Sequence, residues 1–294
     1  MSQPWHLGEL AAFDVETTGT DVESDRIVTA TVAHIVPGQQ PQIASHLIAV
    51  DVDIPPEASE VHGITTEHAR ANGKPASEVL EAVAAQLTEL WANGTPVVVM
   101  NGAFDLTVLD RELRRNGLTP ITDRLGRMPG PVVDILVIDR FMDQYRRGKR
   151  RLADLCEVYG VRHDGAHDAT NDALAAARVA YMMGQRGQQA LNDLDAVARL
   201  YQERRYPYEI AQSWAKFAQV PVDRLHEGQI HWYRQQALSL SNYWHRTVNQ
   251  MEDEAERAHD EAERAVKLRD AEELRRRADN VTTDWPMVPF GGAR

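Results

Sequence analysis

Apolar and polar positions alternate along three early runs, Leu10 to Val15, Arg26 to Val36 and Gln42 to Val50, a pattern that predicts an antiparallel meander. Thr17-Thr18-Gly19 and a polar stretch separate the first two runs. Pro55-Pro56 breaks the chain, and Thr65 to Ala71 reads as a short helix capped by Thr65 or Thr66. From Ser77 to Trp91 the period becomes helical, with Val79, Leu80, Val83, Ala84, Leu87 and Leu90 on one face. Pro96 to Met100 is wholly apolar, as in a strand buried on both faces, and a helix follows through Arg115. Val132 to Asp134 predicts another short strand, and helices are expected over 135–142, 151–159 and 169–183. Strands first and strand–helix alternation afterwards predict an α/β fold, a mixed sheet with helices on its faces.

Beyond about Gly184 strand-like runs disappear, and four of the six tryptophans lie in this last third. Met251 to Asp279 holds 11 acids and 7 bases with no Gly or Pro, and predicts one long exposed charged helix. Val248, Met251, Ala255, Ala258, Ala262 and Ala265 keep a 4/3 stagger that suits a weak coiled-coil seam; a solvated helix with an alanine stripe reads the same way. The expected division is a first domain over 1–185 and an all-α extension over 186–294, with the coiled-coil segment at about 248–279 and a Trp-Pro tail.

Composition narrows the classes. With 294 residues and 43% of them apolar, the chain can bury a real core, which excludes disorder throughout. Its net charge of −12 argues against a broad basic surface for nucleic acid. Cys156 is the single cysteine, which excludes an intramolecular disulfide or thiolate zinc cluster and points to the reducing cytoplasm. No run approaches 18 apolar residues and the start lacks a basic-then-apolar leader, so neither membrane spanning nor secretion is expected.

The acids carry the candidate chemistry. Asp14 and Glu16 stand two residues apart at the end of an apolar strand, so both side chains leave the same sheet face. A cation between them would relieve their repulsion; two solvated acids at a strand end give the same spacing. Asp105 also lies just past a wholly apolar strand, where an unpaired carboxylate is costly. Asn101 and Gly102 suit the tight exit from that strand, and Phe104 can anchor the helix. His167-Asp168-Ala169-Thr170-Asn171-Asp172 then opens a helix pinned by Leu174, Ala177, Val179 and Ala180. Oxygen ligands at Asp14, Glu16, Asp105 and Asp172 suit Mg²⁺ or Mn²⁺ rather than zinc.

The segments DVETTG at 14–19, NGAFD at 101–105 and HDATND at 167–172 resemble the three motifs of the DnaQ-like (DEDD) 3′–5′ exonucleases, a family that includes the proofreading epsilon subunit of bacterial DNA polymerase III. The His-x4-Asp spacing is that of the histidine-using subclass. Val61 to Thr65 matches the family's VHGIT loop, while Val133-Asp134 and Arg151 to Cys156 match the segment before the third motif. The likeness covers roughly 8–185; it departs at Met100, where epsilon-like chains usually carry His.

The resemblance implies a ribonuclease H-like five-stranded sheet and two cations per active site. Asp14 would bridge both ions, Glu16 and Asp172 would hold the one that binds water, and Asp105 the other. His167 would be the general base, with an ordinary pKa of about 6.5 that suits proton uptake near neutrality. Thr17, Thr18, Gly19, Asn101 and Phe104 would approach the terminal nucleotide, and His62 a phosphate or the 3′ end. Arg146 to Arg151 would follow the strand's phosphates or form a solvated loop. The expected activity is a metal-dependent 3′–5′ exonuclease that cuts single-stranded DNA ends to 5′-mononucleotides in proofreading or repair. The alternatives are an exoribonuclease trimming RNA 3′ ends and a non-enzymatic adaptor on the same fold. Replication proteins, or a second copy through the C-terminal helix, are the expected partners.

Overall fold

The chain is described here by a computed structural model over residues 4–163, 169–258 and 260–291. The meander forms as β1 (Leu10–Thr17), β2 (Ile27–Ile35) and β3 (Gln42–Leu47), and β4 (Val97–Val99) and β5 (Val132–Asp134) join in parallel on the other side of β1. The five-stranded sheet therefore has the order β3-β2-β1-β4-β5. Helices α1 (Pro56–His62), α2 (Thr66–Asn72), α3 (Ala76–Ala92), α4 (Gly102–Arg115), α5 (Ile121–Leu125), α6 (Ile135–Met142), α7 (Leu152–Tyr159) and α8 (Ala169–Asn192) flank it. After them come α9 (Leu194–Leu200), α10 (Pro207–Phe217), α11 (Val222–Arg257) and α12 (Glu261–Asp279).

Period-two alternation divides the strands between two cores. Ala11, Phe13 and Val15 bury with Leu80 and Leu87 of α3 and Leu109 of α4, while Leu10 and Ala12 bury with Leu155 of α7 and Val179 of α8. Asp14 and Glu16 continue the parity of Leu10 and Ala12, which turns both toward the α8 side. A bulge between Glu16 and Thr17 then ends the regular register with β2.

Several expectations need correction. Pro56 begins a helix instead of only breaking the chain, since a proline at N1 lacks an N–H that would have no partner there. The short α5 was not foreseen. α8 crosses residue 185 without interruption, and Gly184 within it leaves room for the His6 ring where a Cβ would stand. The change of character near Gly184 is thus not a break in secondary structure.

Met251–Asp279 is not one helix. Ala258 turns extended at φ −69° and ψ 131°, and the Asp260 side chain caps α12 by accepting from the Ala262 N–H at 2.9 Å. α12 folds back antiparallel on α11, tied by Ser241 Oγ to the Ala278 carbonyl (3.0 Å), Arg275 to Glu252 (2.6 Å) and Lys267 to Glu254 (3.1 Å). Of the expected seam, Val248 and Ala255 are buried while Ala262 and Ala265 are exposed, and Ala271 and Ala278, outside that seam, are buried too.

The same region holds the sheet. β5 is an edge strand, and Gln229 of α11 completes it: Oε1 accepts from the Asp134 N–H (2.7 Å) and Nε2 donates to the Val132 carbonyl (2.8 Å). The Trp-Pro tail also docks. Trp285 Nε1 donates to Asp134 Oδ2 at 3.3 Å, the Val288 N–H donates to Thr107 Oγ1 at 2.9 Å, and Arg111 reaches the Val288 carbonyl at 3.1 Å.

Candidate active site

Three segments deliver the acids. Asp14 and Glu16 come from β1, Asp105 from the first turn of α4, and Asp172 from the first turn of α8. One carboxylate oxygen from each of Asp14, Glu16 and Asp172 lies within 4.8 Å of the others. Asp105 stands outside that trio, yet among the carboxylates its charge acts most strongly on Asp14. Burial pushes the Asp14 carboxyl well above its ordinary value, and Asp105, Glu16 and Asp172 push the same way. Asp105 is buried and also raised well above the carboxylate range; the N–H groups of Asp105 and Val15 oppose that rise, while Asp134 and Glu16 add to it. Such a cluster must take up protons or a cation. All its donors are carboxylate oxygens, so it fits a hard divalent ion.

Asp134 builds the ground under Asp105. This buried carboxylate caps α6 by accepting from the Leu136 N–H (3.0 Å). It also accepts from the N–H groups of Asn101 (3.2 Å) and Gly102 (2.9 Å), where β4 turns into α4. Asn101 is held in the left-handed region at φ 68°, and a Cβ on Gly102 would come within 2.5 Å of Val99 Cγ2. Burial raises Asp134, against the pull of its N–H donors. The sequence reading used Asp134 only as part of a matching segment and missed this role. An acid directly before an apolar helix was the available signal.

The remaining expected residues sit as follows. The Thr18 hydroxyl donates to Asp25 Oδ1 (2.8 Å) and accepts from the Arg26 N–H (3.0 Å), so it closes its own loop. Thr17 Oγ1 donates to the Gly19 carbonyl at 2.6 Å, and a Cβ on Gly19 would meet Asp25. His62 is buried at the end of α1, with Nδ1 accepting from the Ile64 N–H at 3.2 Å. Phe104 packs on the α3 and α4 core, and Asn101 is exposed. His167 lies outside the described residues. Sequence reasoning passed over His163, whose Nε2 is 2.6 Å from Asp172 Oδ1; no spacing marked it out from its neighbours. In the basic loop Arg146 and Arg150 both pair with buried Asp139, and Arg151 pairs with Asp154, so much of its charge serves to tie the loop down.

This fold and acid cluster define a class, the nuclease hydrolases of exonuclease type. A model of the RNase T exonuclease family matches residues 11–180, more than half of the chain, and the chain belongs to that family. It is similar to PolC-type DNA polymerase III of Clostridium perfringens, 26% identical over 171 residues, and of Lactococcus lactis, 29% identical over 171 residues. Each alignment covers 58% of this chain, which spans only about a tenth of those relatives, 11% and 10% of their lengths. Among solved structures it resembles exonuclease I of Methylocaldum szegediense, with a TM-score of 0.52 and 26% identity over 67% of this chain and 45% of that one. E. coli exonuclease I in complex with a dA16 oligonucleotide shares the fold, with a TM-score of 0.51 and 22% identity over 65% of this chain and 44% of that one. Among the described residues no helix is long and apolar enough to cross a membrane.

Proposed function

We propose that the chain is a cation-dependent 3′–5′ exonuclease that removes 5′-mononucleotides from single-stranded DNA ends. The observation that carries this reading is the approach of Asp14, Glu16 and Asp172 to within 4.8 Å, with Asp105 beside them. These four carboxylates would hold two Mg²⁺ or Mn²⁺ ions. When bound, the ions supply charge neutralisation at the phosphoryl group and acidify the attacking water. His167 would take the proton from that water as its oxygen attacks phosphorus; the bond to the 3′ oxygen of the preceding nucleotide breaks, and that oxygen takes up a proton from solvent to leave a 3′ hydroxyl on the shortened strand. The backbone at Thr17, Thr18 and Gly19, with Asn101, Phe104 and His62, positions the terminal nucleotide.

DNA as the substrate is supported by the polymerase relatives and by exonuclease I bound to an oligonucleotide. The same relatives support a place in proofreading or repair, in the cytoplasm. The test is digestion of single-stranded, duplex and mismatched DNA and of RNA, each labelled at the 3′ or the 5′ end. With Mg²⁺, single-stranded DNA should lose a 3′ label at once as mononucleotide while a 5′ label shortens stepwise. Faster digestion of RNA would replace the DNA reading with the exoribonuclease one, and internal cuts would overturn both.

A further inference from the structure

An open groove of about 1340 Å³ is walled by α6, α11 and α12, and its lining includes none of Asp14, Glu16, Asp105 and Asp172. It exceeds the roughly 300–1,000 Å³ of an ordinary small-molecule pocket. Its lining combines two kinds of side chain. Aromatic faces come from Phe141, Tyr145, Trp232 and Tyr243; Tyr145 is 74% exposed and Tyr243 58%, and Phe141 stacks on Trp232 at 4.0 Å with 8° between the rings. Positive charge comes from Arg246 and Arg276, which are exposed and join no hydrogen bond or ion pair through their side chains among the described residues, and from Arg140, which is partly desolvated and attracted by Asp134 and Asp139. Arg150 and Arg277 also line it, paired with Asp139 and Glu273, and Glu273 is the one acidic residue of the described lining.

A patch of exposed aromatics marks an interaction surface, and guanidinium groups without an ion-pair partner attract anions. A ligand that offers both flat apolar faces and a regular row of negative charge meets both demands. Duplex DNA offers only the charge, because its bases are already stacked. We infer that this groove binds unpaired nucleic acid, with bases on the aromatic side chains and phosphates on Arg140, Arg246 and Arg276. The chain as a whole carries a net charge of −12, so the attraction is local to this groove. The inference deepens the proposed function, and rests on it only for the view that the held strand is also the one digested. The groove would keep hold of that strand while its end is trimmed.

The test uses the full chain and a fluorescent oligothymidylate of about twenty nucleotides, longer than a typical single-strand site. Binding is read by anisotropy in EDTA, where no hydrolysis occurs. Arg246→Ala with Arg276→Ala should weaken binding at least tenfold and reduce the log–log salt slope by about 1.4, since each phosphate contact on a single strand contributes about 0.7. Tyr243→Ala should weaken binding roughly tenfold through lost stacking. Duplex of equal length should compete at least tenfold less well. All three residues are exposed, and unchanged circular dichroism and Tm confirm folding of the variants. Wild-type affinity and slope in both variants, or equal competition by duplex, would overturn the groove. Digestion of a dinucleotide, too short to need the groove, should be unchanged in every variant. A chain that binds through these residues but digests nothing with Mg²⁺ would contradict the exonuclease reading alone; normal digestion with unaltered binding would contradict the groove alone.

Discussion

Asp14 shows what the carboxylate cluster costs the fold. Burial and three neighbouring acids raise its pKa, so the folded chain holds a proton more tightly than the unfolded one does; Asp105 behaves the same way. The stability this contributes is complete below the ordinary aspartate value and is lost as pH rises through the raised folded-state value. The metal-free protein should therefore melt at a lower temperature at pH 8 than at pH 5.5 on account of these groups, and added Mg²⁺ should recover the difference. Asp14→Asn keeps the shape and removes one charge. It should stabilise the metal-free protein at pH 8, read as a higher Tm, while abolishing the Mg²⁺ effect. Scanning calorimetry at the two pH values checks this, and a lower Tm for Asp14→Asn would oppose it. The pairing of Asp14 with Glu16 was legible because strand parity alone places both on one face. The contact of His163 with Asp172 was not, because it depends on how the chain enters α8, which no periodicity reports.

At the scale of elements, the strands and flanking helices could be read from alternation because each buries one face or two. The C-terminal helices could not be assigned partners that way. From Met251 onward charged residues dominate, and nothing in that pattern marks the turn near Ala258 that folds α12 back on α11. The docking of α11 on β5 was hidden for a different reason: it relies on two polar side chains, Gln229 and His226, the latter accepting from the Val132 N–H at 3.1 Å, which together stand in for a neighbouring strand. Gln229→Leu would leave the Asp134 N–H and the Val132 carbonyl buried without partners. A loss of about 2–4 kcal/mol is expected, measured by urea unfolding; a loss below about 0.5 kcal/mol, the scale of a neutral surface change, would show that α11 does not complete the sheet.

For the molecule as a whole, the family match ends at residue 180, but the packing does not end there. Asp134 joins the two parts, since it supports the turn into α4, caps α6 and receives Trp285 from the tail. On the proposed function, an acidic chain would act on nucleic acid through two local sites of different character. Asp14, Glu16 and Asp172 gather at the candidate cation site, and Arg246 and Arg276, without ion-pair partners among the described residues, stand among the aromatics of the groove. On the proposed function, Asp14, Glu16, Asp105 and Asp172 form a cation-dependent hydrolytic centre served by His167. The most direct measurement is the rate of mononucleotide release from 3′-labelled single-stranded DNA against Mg²⁺ concentration, for the wild type, Asp172→Asn and His167→Ala. The rate should rise from zero to a plateau with Mg²⁺ in the wild type and fall at least ~10²-fold in both variants at saturating Mg²⁺. Wild-type release in excess EDTA, or unchanged rates in both variants, would contradict it.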